Sequence, residues 1–125
     1  MKVLIVEDDF IIQMFLEQMI TSINCQVVGT VENSKKALEA VINKQPDLIL
    51  MDIGIEGETD GVDTAKLIHT IKKIPVIFIT GNSDQYTKDR IKTVDAIMTI
   101  FKPINERKFK QDLKQVCEDI SLSIL

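Results

Sequence analysis

The sequence predicts an α/β fold: a single doubly wound parallel sheet built from five strand–helix units, (βα)5. Three observations carry this expectation. Short apolar runs alternate five times with segments of helical periodicity. The runs are continuous and rich in Val and Ile, the pattern of strands covered on both faces. Four of the five runs end at a reactive side chain, and open parallel sheets bind ligands at that edge. Val3-Leu4-Ile5-Val6 is followed by Glu7-Asp8-Asp9, and Leu48-Ile49-Leu50-Met51 by Asp52. Val76-Ile77-Phe78-Ile79 is followed by Thr80-Gly81, and the run from Ala96 to Phe101 by Lys102-Pro103. The run around Val27-Val28 has no such neighbour.

Taken in order, residues 2–7 read as a buried strand and residues 9–23 as the first helix. Residues 26–31 are the second strand. Asn33 or Ser34 can cap a helix running to about Asn43, and Pro46 keeps it from continuing. Residues 47–53 form the third strand and residues 61–72 the third helix. Pro75 opens the fourth strand, and Ser83 or Asp84 caps a fourth helix near 84–93. The fifth strand spans 96–101. Asn105 suits the N-cap of the last helix, with Ile104 and Phe109 at the two positions of a hydrophobic staple. Phe109, Leu113, Val116, Cys117 and Ile120 then line one helical face. Right-handed crossovers and the flavodoxin-like order 2-1-3-4-5 make strands one and three neighbours. Glu7, Asp8 and Asp52 then face one another.

Size and composition bound the rest. With 125 residues the chain is one domain, residues 1–125, able to bury roughly 65–70% of its unfolded surface. It is 45% hydrophobic and 27% charged, a globular balance, and its net charge of −4 argues against a direct nucleic-acid face. No apolar stretch approaches the roughly 20 residues that cross a bilayer. The N-terminus lacks the pattern of a signal peptide. A cytoplasmic protein without a membrane partner is expected, with any output domain outside this sequence. Cys25 and Cys117 are distant in sequence, lack metal-ligand spacing and read as two reduced thiols.

Carboxylates are ionised at neutral pH unless their surroundings prevent it. Two unit charges about 4 Å apart repel by about 4 kcal/mol at an effective dielectric near 20, so three carboxylates at one edge repel by on the order of 10 kcal/mol. That rivals the stability of a whole domain. A cation is therefore expected, and a few hard oxygen ligands at an open edge favour Mg2+. Such a site suits an incoming phosphoryl group. Asp52 beside the metal can act as nucleophile toward phosphorus. Lys102 can hold a phosphoryl oxygen as a point charge, and the Thr80 hydroxyl can donate to another. Gly81 leaves room for a bulky donor. Each group has a plainer reading: acidic residues at strand ends often cap helices, and Asp9 is assigned that role. The groups gain meaning from their joint order at successive strand ends.

The segments LIVEDD, LILMDI, VIFITG and FKP, at their separations here, resemble the receiver domain of response regulators, the phosphoacceptor module of two-component signalling. The resemblance covers nearly the whole chain, and the strand order above is partly carried by it. It implies that Asp52 is phosphorylated and that Glu7 and Asp8 hold Mg2+, with the Gly54 carbonyl as a further ligand. Thr80 and Lys102 correspond to the switch hydroxyl and the phosphate-binding lysine, and the Lys102–Pro103 bond is expected to be cis. Implied partners are a histidine kinase or histidine phosphotransfer protein. A homodimer through the fourth helix, fifth strand and last helix is a further possibility the family raises.

Three departures stand out. Thr99 occupies a position where receivers often carry Tyr or Phe, and Phe101 shares its strand face. The loop GIEGETDG after Asp52 lacks the common proline and is one residue longer than the short family form, with Gly57 expected to turn it. Gly54 and Asn82 stand at the two variable positions that flank the phosphoryl site.

On the first helix, Ile12, Leu16, Met19, Ile20 and Ile23 form one stripe flanked by Ile11 and Phe15, while Phe10 and Met14 lie nearly opposite. This excess of apolar residues beside the acidic site reads as a docking face. His69 reads as a lone surface histidine, and Tyr86 as part of an interaction face. Two other functions compete with the switch. A Mg2+-dependent phosphohydrolase often has a second aspartate two residues after its nucleophile, where this chain has Gly54. A phosphorylation-independent binding module is the other, favoured by Thr99 but not by the complete set of acidic and lysine groups.

Overall fold

Residues 1–124 are described by a computed structural model, which contains ten elements in strict alternation. These are β1 (Lys2–Val6), α1 (Phe10–Ser22), β2 (Gln26–Val31), α2 (Ser34–Lys44), β3 (Leu48–Asp52), α3 (Gly61–Ile71), β4 (Val76–Thr80), α4 (Gln85–Ile91), β5 (Met98–Phe101) and α5 (Glu106–Ile124). All four strand pairings are parallel, in the order β2-β1-β3-β4-β5. The expected order therefore holds.

The period of two along each strand divides the core into two layers. Leu4, Val6, Ile49, Met51 and Phe78 face Ala37 and Val41 of α2 and Val62, Ala65 and Ile68 of α3. Val3, Ile5, Leu48, Leu50, Ile77 and Ile79 face Leu16 and Ile20 of α1 and Phe109, Leu113 and Val116 of α5. Every residue of β3 and β4 is buried, which accounts for their unbroken apolar sequence.

The helix starts follow the expected caps. The Asp9 carboxylate accepts from the Ile11 and Ile12 amides, Asn33 from Lys36, Asp84 from Thr87 and Asn105 from Lys108. Asp60 caps α3 through the Asp63 amide. Two boundaries differ from expectation by two residues, the others by about one. α4 ends at Ile91 because the Thr93 and Val94 amides turn back to the Arg90 and Ile91 carbonyls, three residues away. β5 starts at Met98 because the Ala96 amide is used in a tight turn to Val94. His69 is half-buried, with Nε2 2.9 Å from the Ile74 carbonyl, so it ties the end of α3 to the approach to β4 instead of standing free in solvent.

Gly57 turns the loop after β3 at φ +102°, a conformation that favours glycine. Gly61 serves a different need. Its amide bonds the Ile53 carbonyl at 2.8 Å, and a Cβ there would lie 2.3 Å from the Asp52 carbonyl oxygen. The start of α3 thus rests directly on the backbone of Asp52. Gly61→Ala is expected to cost about 1–3 kcal/mol, by overpacking. Gly54→Ala, where a Cβ meets nothing within 4 Å, should stay within about 0.5 kcal/mol of wild type. Urea midpoints of the two variants check this pair; equal midpoints would contradict the close-approach argument.

Candidate functional site

Three strands deliver the charged groups. β1 ends at Val6, so the next residue, Glu7, lies at the C-terminal edge of the sheet; its side chain is buried. Its amide continues the pairing to the Val31 carbonyl at 2.9 Å. Asp8, one residue on, is exposed. Asp52 closes β3, pairs in register with Ile79 and is buried. β1 and β3 are neighbours, so the three carboxylates converge, with one oxygen from each within 4.8 Å of the others.

Lys102 comes in from the far side of the site, just past β5, where its amide bonds the Thr80 carbonyl at 2.8 Å. Its ammonium lies 3.2 Å from Glu7 Oε1 and 3.6 Å from Asp52 Oδ1. The Lys102–Pro103 peptide is cis, as the resemblance implied. The Gly54 amide lies 3.3 Å from Asp52 Oδ1, a long hydrogen bond. Gln13 donates its side-chain amide to the Glu7 carbonyl and so fastens α1 to the end of β1.

Thr80 is the one candidate side chain turned elsewhere. It closes β4 and is buried, but its Oγ1 accepts from the Asn82 amide at 3.0 Å instead of bonding to Asp52. A Cβ on Gly81 would meet only the Lys102 stem, at 3.9 Å, so the space above the site is open, as expected. Thr99 pairs with Phe78 and is half-buried, while Phe101 pairs with Thr80 and is 41% exposed. The Lys88 ammonium lies 5.9 Å from the Phe101 ring.

The electrostatics follow from burial. Burial, reinforced by Asp52, drives the Glu7 carboxyl up from its ordinary 4.5 to about 8, against the opposing pull of Lys102. Burial would lower the Lys102 ammonium, but Asp52 and Glu7 outweigh it and hold the group above its ordinary value. One ammonium is therefore too little charge for these carboxylates. Hard oxygen donors carrying surplus negative charge suit a hard divalent cation.

Sequence reasoning missed a second charged cluster beside the site. Arg90 of α4 donates Nη1 and Nη2 to the two oxygens of Asp60, and Nη2 is 3.2 Å from Asp63. Burial of Asp60 pushes its carboxyl up, and Arg90 outweighs that and holds it below the ordinary range. The pair spans 30 positions, and no local sequence pattern marks it. Gln13 had one available signal, as a polar residue amid the apolar sequence of the first helix.

A family model for the response regulator receiver domain matches residues 3–114, so this chain belongs to the receiver domains of two-component response regulators. It is 30% identical over 116 residues to the sensory transduction protein LytT of Bacillus subtilis, covering 92% of this chain and 47% of that protein. A protein-glutamate methylesterase/protein-glutamine glutaminase of Archaeoglobus fulgidus is 28% identical over 105 residues, covering 82% of this chain and 30% of the relative. The chain spans half or less of these relatives. Among solved structures, the signal receiver domain of a modulated diguanylate cyclase from Desulfovibrio desulfuricans G20 superposes with a TM-score of 0.86 at 30% identity, covering 98% of this chain and 97% of that one. Among the described residues, no helix is long and apolar enough to cross a membrane.

Between about pH 5 and 8 the folded, metal-free protein keeps a proton on Glu7 that the unfolded chain releases. The folded state then binds more protons, so stability falls as pH rises through this window, by on the order of a few kcal/mol. Glu7→Gln should flatten that slope. Urea unfolding of both proteins across the window, in chelator, checks this; a wild-type slope of opposite sign would refute the assignment.

Proposed function

We propose that this receiver takes a phosphoryl group onto Asp52 and uses the new charge to shift the loops after β4 and β5. The observation that carries the reading is the meeting of Glu7, Asp8 and Asp52 with the Lys102 ammonium at the C-terminal edge of the sheet. In this role Asp52 Oδ attacks phosphorus while the bond to the donor nitrogen of a phosphohistidine breaks, leaving an aspartyl phosphate. Lys102, already held between Glu7 and Asp52, transfers its contact to a phosphoryl oxygen. Thr80 gives up the Asn82 amide and donates its hydroxyl to a second oxygen. Gly81 and Gly54 leave the approach free of side chains.

Glu7, Asp8 and Asp52 would hold Mg2+, with the Gly54 carbonyl as a backbone ligand. When bound, the ion supplies positive charge that screens the carboxylates from the incoming phosphoryl oxygens. The donor set fits it: three carboxylates, one exposed enough to keep water on the ion. The phosphodonor is a histidine kinase or a histidine phosphotransfer protein, and the protein works in the cytoplasm as a switch without turnover of a separate substrate.

Helix α1 supports a docking role in part. Ile11 is 77% exposed, Phe10 70% and Met14 47%, all on the helix that starts beside the acidic site. Phe15 is different: it stacks on Phe109 at 6.4 Å and packs into the α1–α5 layer, so Phe10 and Ile11 form the accessible face. Tyr86, Ile97 and Phe101 are exposed on α4 and around β5, a surface suited to a second copy.

Incubating the protein with acetyl phosphate and Mg2+ should add one phosphoryl group, lost in Asp52→Ala; persistent labelling of that variant would overturn the assignment. Raising Mg2+ should stabilise the wild type by a wider margin at pH 8 than at pH 6, read as Tm, and Asp8→Ala should shrink that gain. Ile11→Ser should slow transfer from a phosphohistidine protein by roughly tenfold while leaving the acetyl phosphate reaction unchanged. Equal slowing with both donors would remove the docking role.

A further inference from the structure

At the opposite edge of the sheet from Asp52, two cysteines separated by 92 positions place their sulfurs 3.5 Å apart. Cys25 sits in the turn between α1 and β2, with its amide bonded to the Ile20 carbonyl at 3.1 Å. Cys117 lies on the inner face of α5 and is 8% exposed. Both thiols are free. They line one cleft of about 480 Å3, open to solvent, whose other walls include Lys114, Glu118 and Ser121. A small hydrophilic reagent can therefore reach the pair from outside.

We propose that Cys25 and Cys117 are a peroxide-reactive dithiol that closes reversibly to a disulfide, fastening the α1–β2 turn to α5. Distance favours the bond: thiols in contact at 3.5 Å need a closure of about 1.5 Å to reach the S–S length near 2.05 Å. Cys25 belongs to a turn, which yields more readily than the middle of a helix. Access assigns the order of events. Cys25 is the more exposed residue and meets the oxidant first, whereas burial and the neighbouring Cys25 push the Cys117 thiol up to about 12, so it waits as the protonated partner.

The chemistry balances with hydrogen peroxide as the oxidant. The Cys25 sulfur attacks one peroxide oxygen; an S–O bond forms, the O–O bond breaks, and water leaves with the thiol proton. The product is a sulfenic acid on Cys25. The Cys117 sulfur then attacks the Cys25 sulfur; the S–S bond forms, the S–O bond breaks, and the departing hydroxide takes the Cys117 proton as a second water. Two thiols lose two electrons and one peroxide gains them. A dithiol reductant reverses the closure through a mixed disulfide.

The staple would close a loop spanning 92 positions, which restricts the unfolded state strongly. It would also fix the outer turns of α5 against β2, while the strand ends that carry Glu7, Asp52 and Lys102 lie at the other edge.

The test treats the full chain with hydrogen peroxide, beside Cys25→Ala and Cys117→Ala. Both wild-type thiols should vanish from titration together, and the intact mass should fall by two hydrogens. Non-reducing digestion should release the Cys25 and Cys117 peptides as one species. Tm should rise by on the order of 10 °C and return on adding dithiothreitol. Neither variant should show that rise, and Cys117→Ala should accumulate oxygen on Cys25. Cys25→Ala alters a half-exposed turn residue, so it provides a folded control if Cys117→Ala does not fold. Wild-type Cys25 gaining oxygen while Cys117 stays titratable would overturn the proposal. So would disulfide-linked dimers, or two thiols that survive peroxide. Labelling of Asp52 by acetyl phosphate in the oxidised protein is read separately, so failure of the staple and failure of the phosphoacceptor assignment remain distinct.

Discussion

The structure turns on one arrangement: two buried carboxylates, Glu7 and Asp52, share a single ammonium, Lys102. At an effective dielectric near 20, each attraction at these distances is about 5 kcal/mol, opposed by the mutual repulsion of the two acids. Those gains are offset by taking the acids out of water. The raised Glu7 carboxyl reflects the balance, because a proton on Glu7 does part of what a second cation would do. With Asp8 at the rim, three carboxylates and one ammonium leave two negative charges when all are ionised. A divalent cation neutralises that remainder, and a site poised in this way discriminates against a lone proton as pH rises.

The rest of the fold supplies the distances. Carboxylates from β1 and β3 meet because those strands are neighbours, and they are neighbours because the chain reverses its direction of winding after β2. Lys102 reaches across from the β5 side, its stem 3.9 Å from where a Cβ on Gly81 would stand. Gly61 lets α3 start against the backbone of Asp52, and Asp60, one residue earlier, is gripped by Arg90 of α4. A continuous set of contacts therefore joins the acid at the end of β3 to α4. Half-buried and bidentate, the Arg90–Asp60 pair belongs to the class of ion pairs that contribute more than exposed ones.

Where the physics is local, the sequence is legible. Strand runs and four acceptor side chains at helix starts follow from short-range rules, whereas the strand order is partly carried by the family resemblance. The convergence of Glu7, Asp8, Asp52 and Lys102 is legible for a related reason: a parallel sheet brings strand ends to one edge whatever the loops do. What escapes is set by packing between elements distant in sequence. Nothing near Arg90 announces Asp60, and nothing near Cys25 announces Cys117. His69 looks like a surface residue until the chain folds back to place the Ile74 carbonyl beside it. Phe15 lies at the margin of the α1 stripe by helical angle, and its burial is decided by Phe109, distant along the chain in α5.

The unusual β5 edge bears on how a charge on Asp52 would be felt elsewhere, on the reading proposed above. Thr99 has too little surface to lever α4 by moving between an inward and an outward position, and Phe101 is already outward with Lys88 near its ring. The movable parts closer to the acid are the Thr80 hydroxyl, which accepts from the Asn82 amide and donates a long bond to the Asn82 carbonyl, and the Lys102 ammonium, shared between two acids. When Thr80 turns toward Asp52, the Asn82 amide loses its acceptor, and the exposed loop from Gly81 to Asp84 must find another arrangement. Asp84 is the N-cap of α4, so a change in that loop reaches the first turn of the helix directly. Arg90 resists the same movement from the other end of α4 by its hold on Asp60. The two restraints on α4, one at each end, make the helix the natural element to report the state of Asp52 in a chain that lacks the aromatic lever.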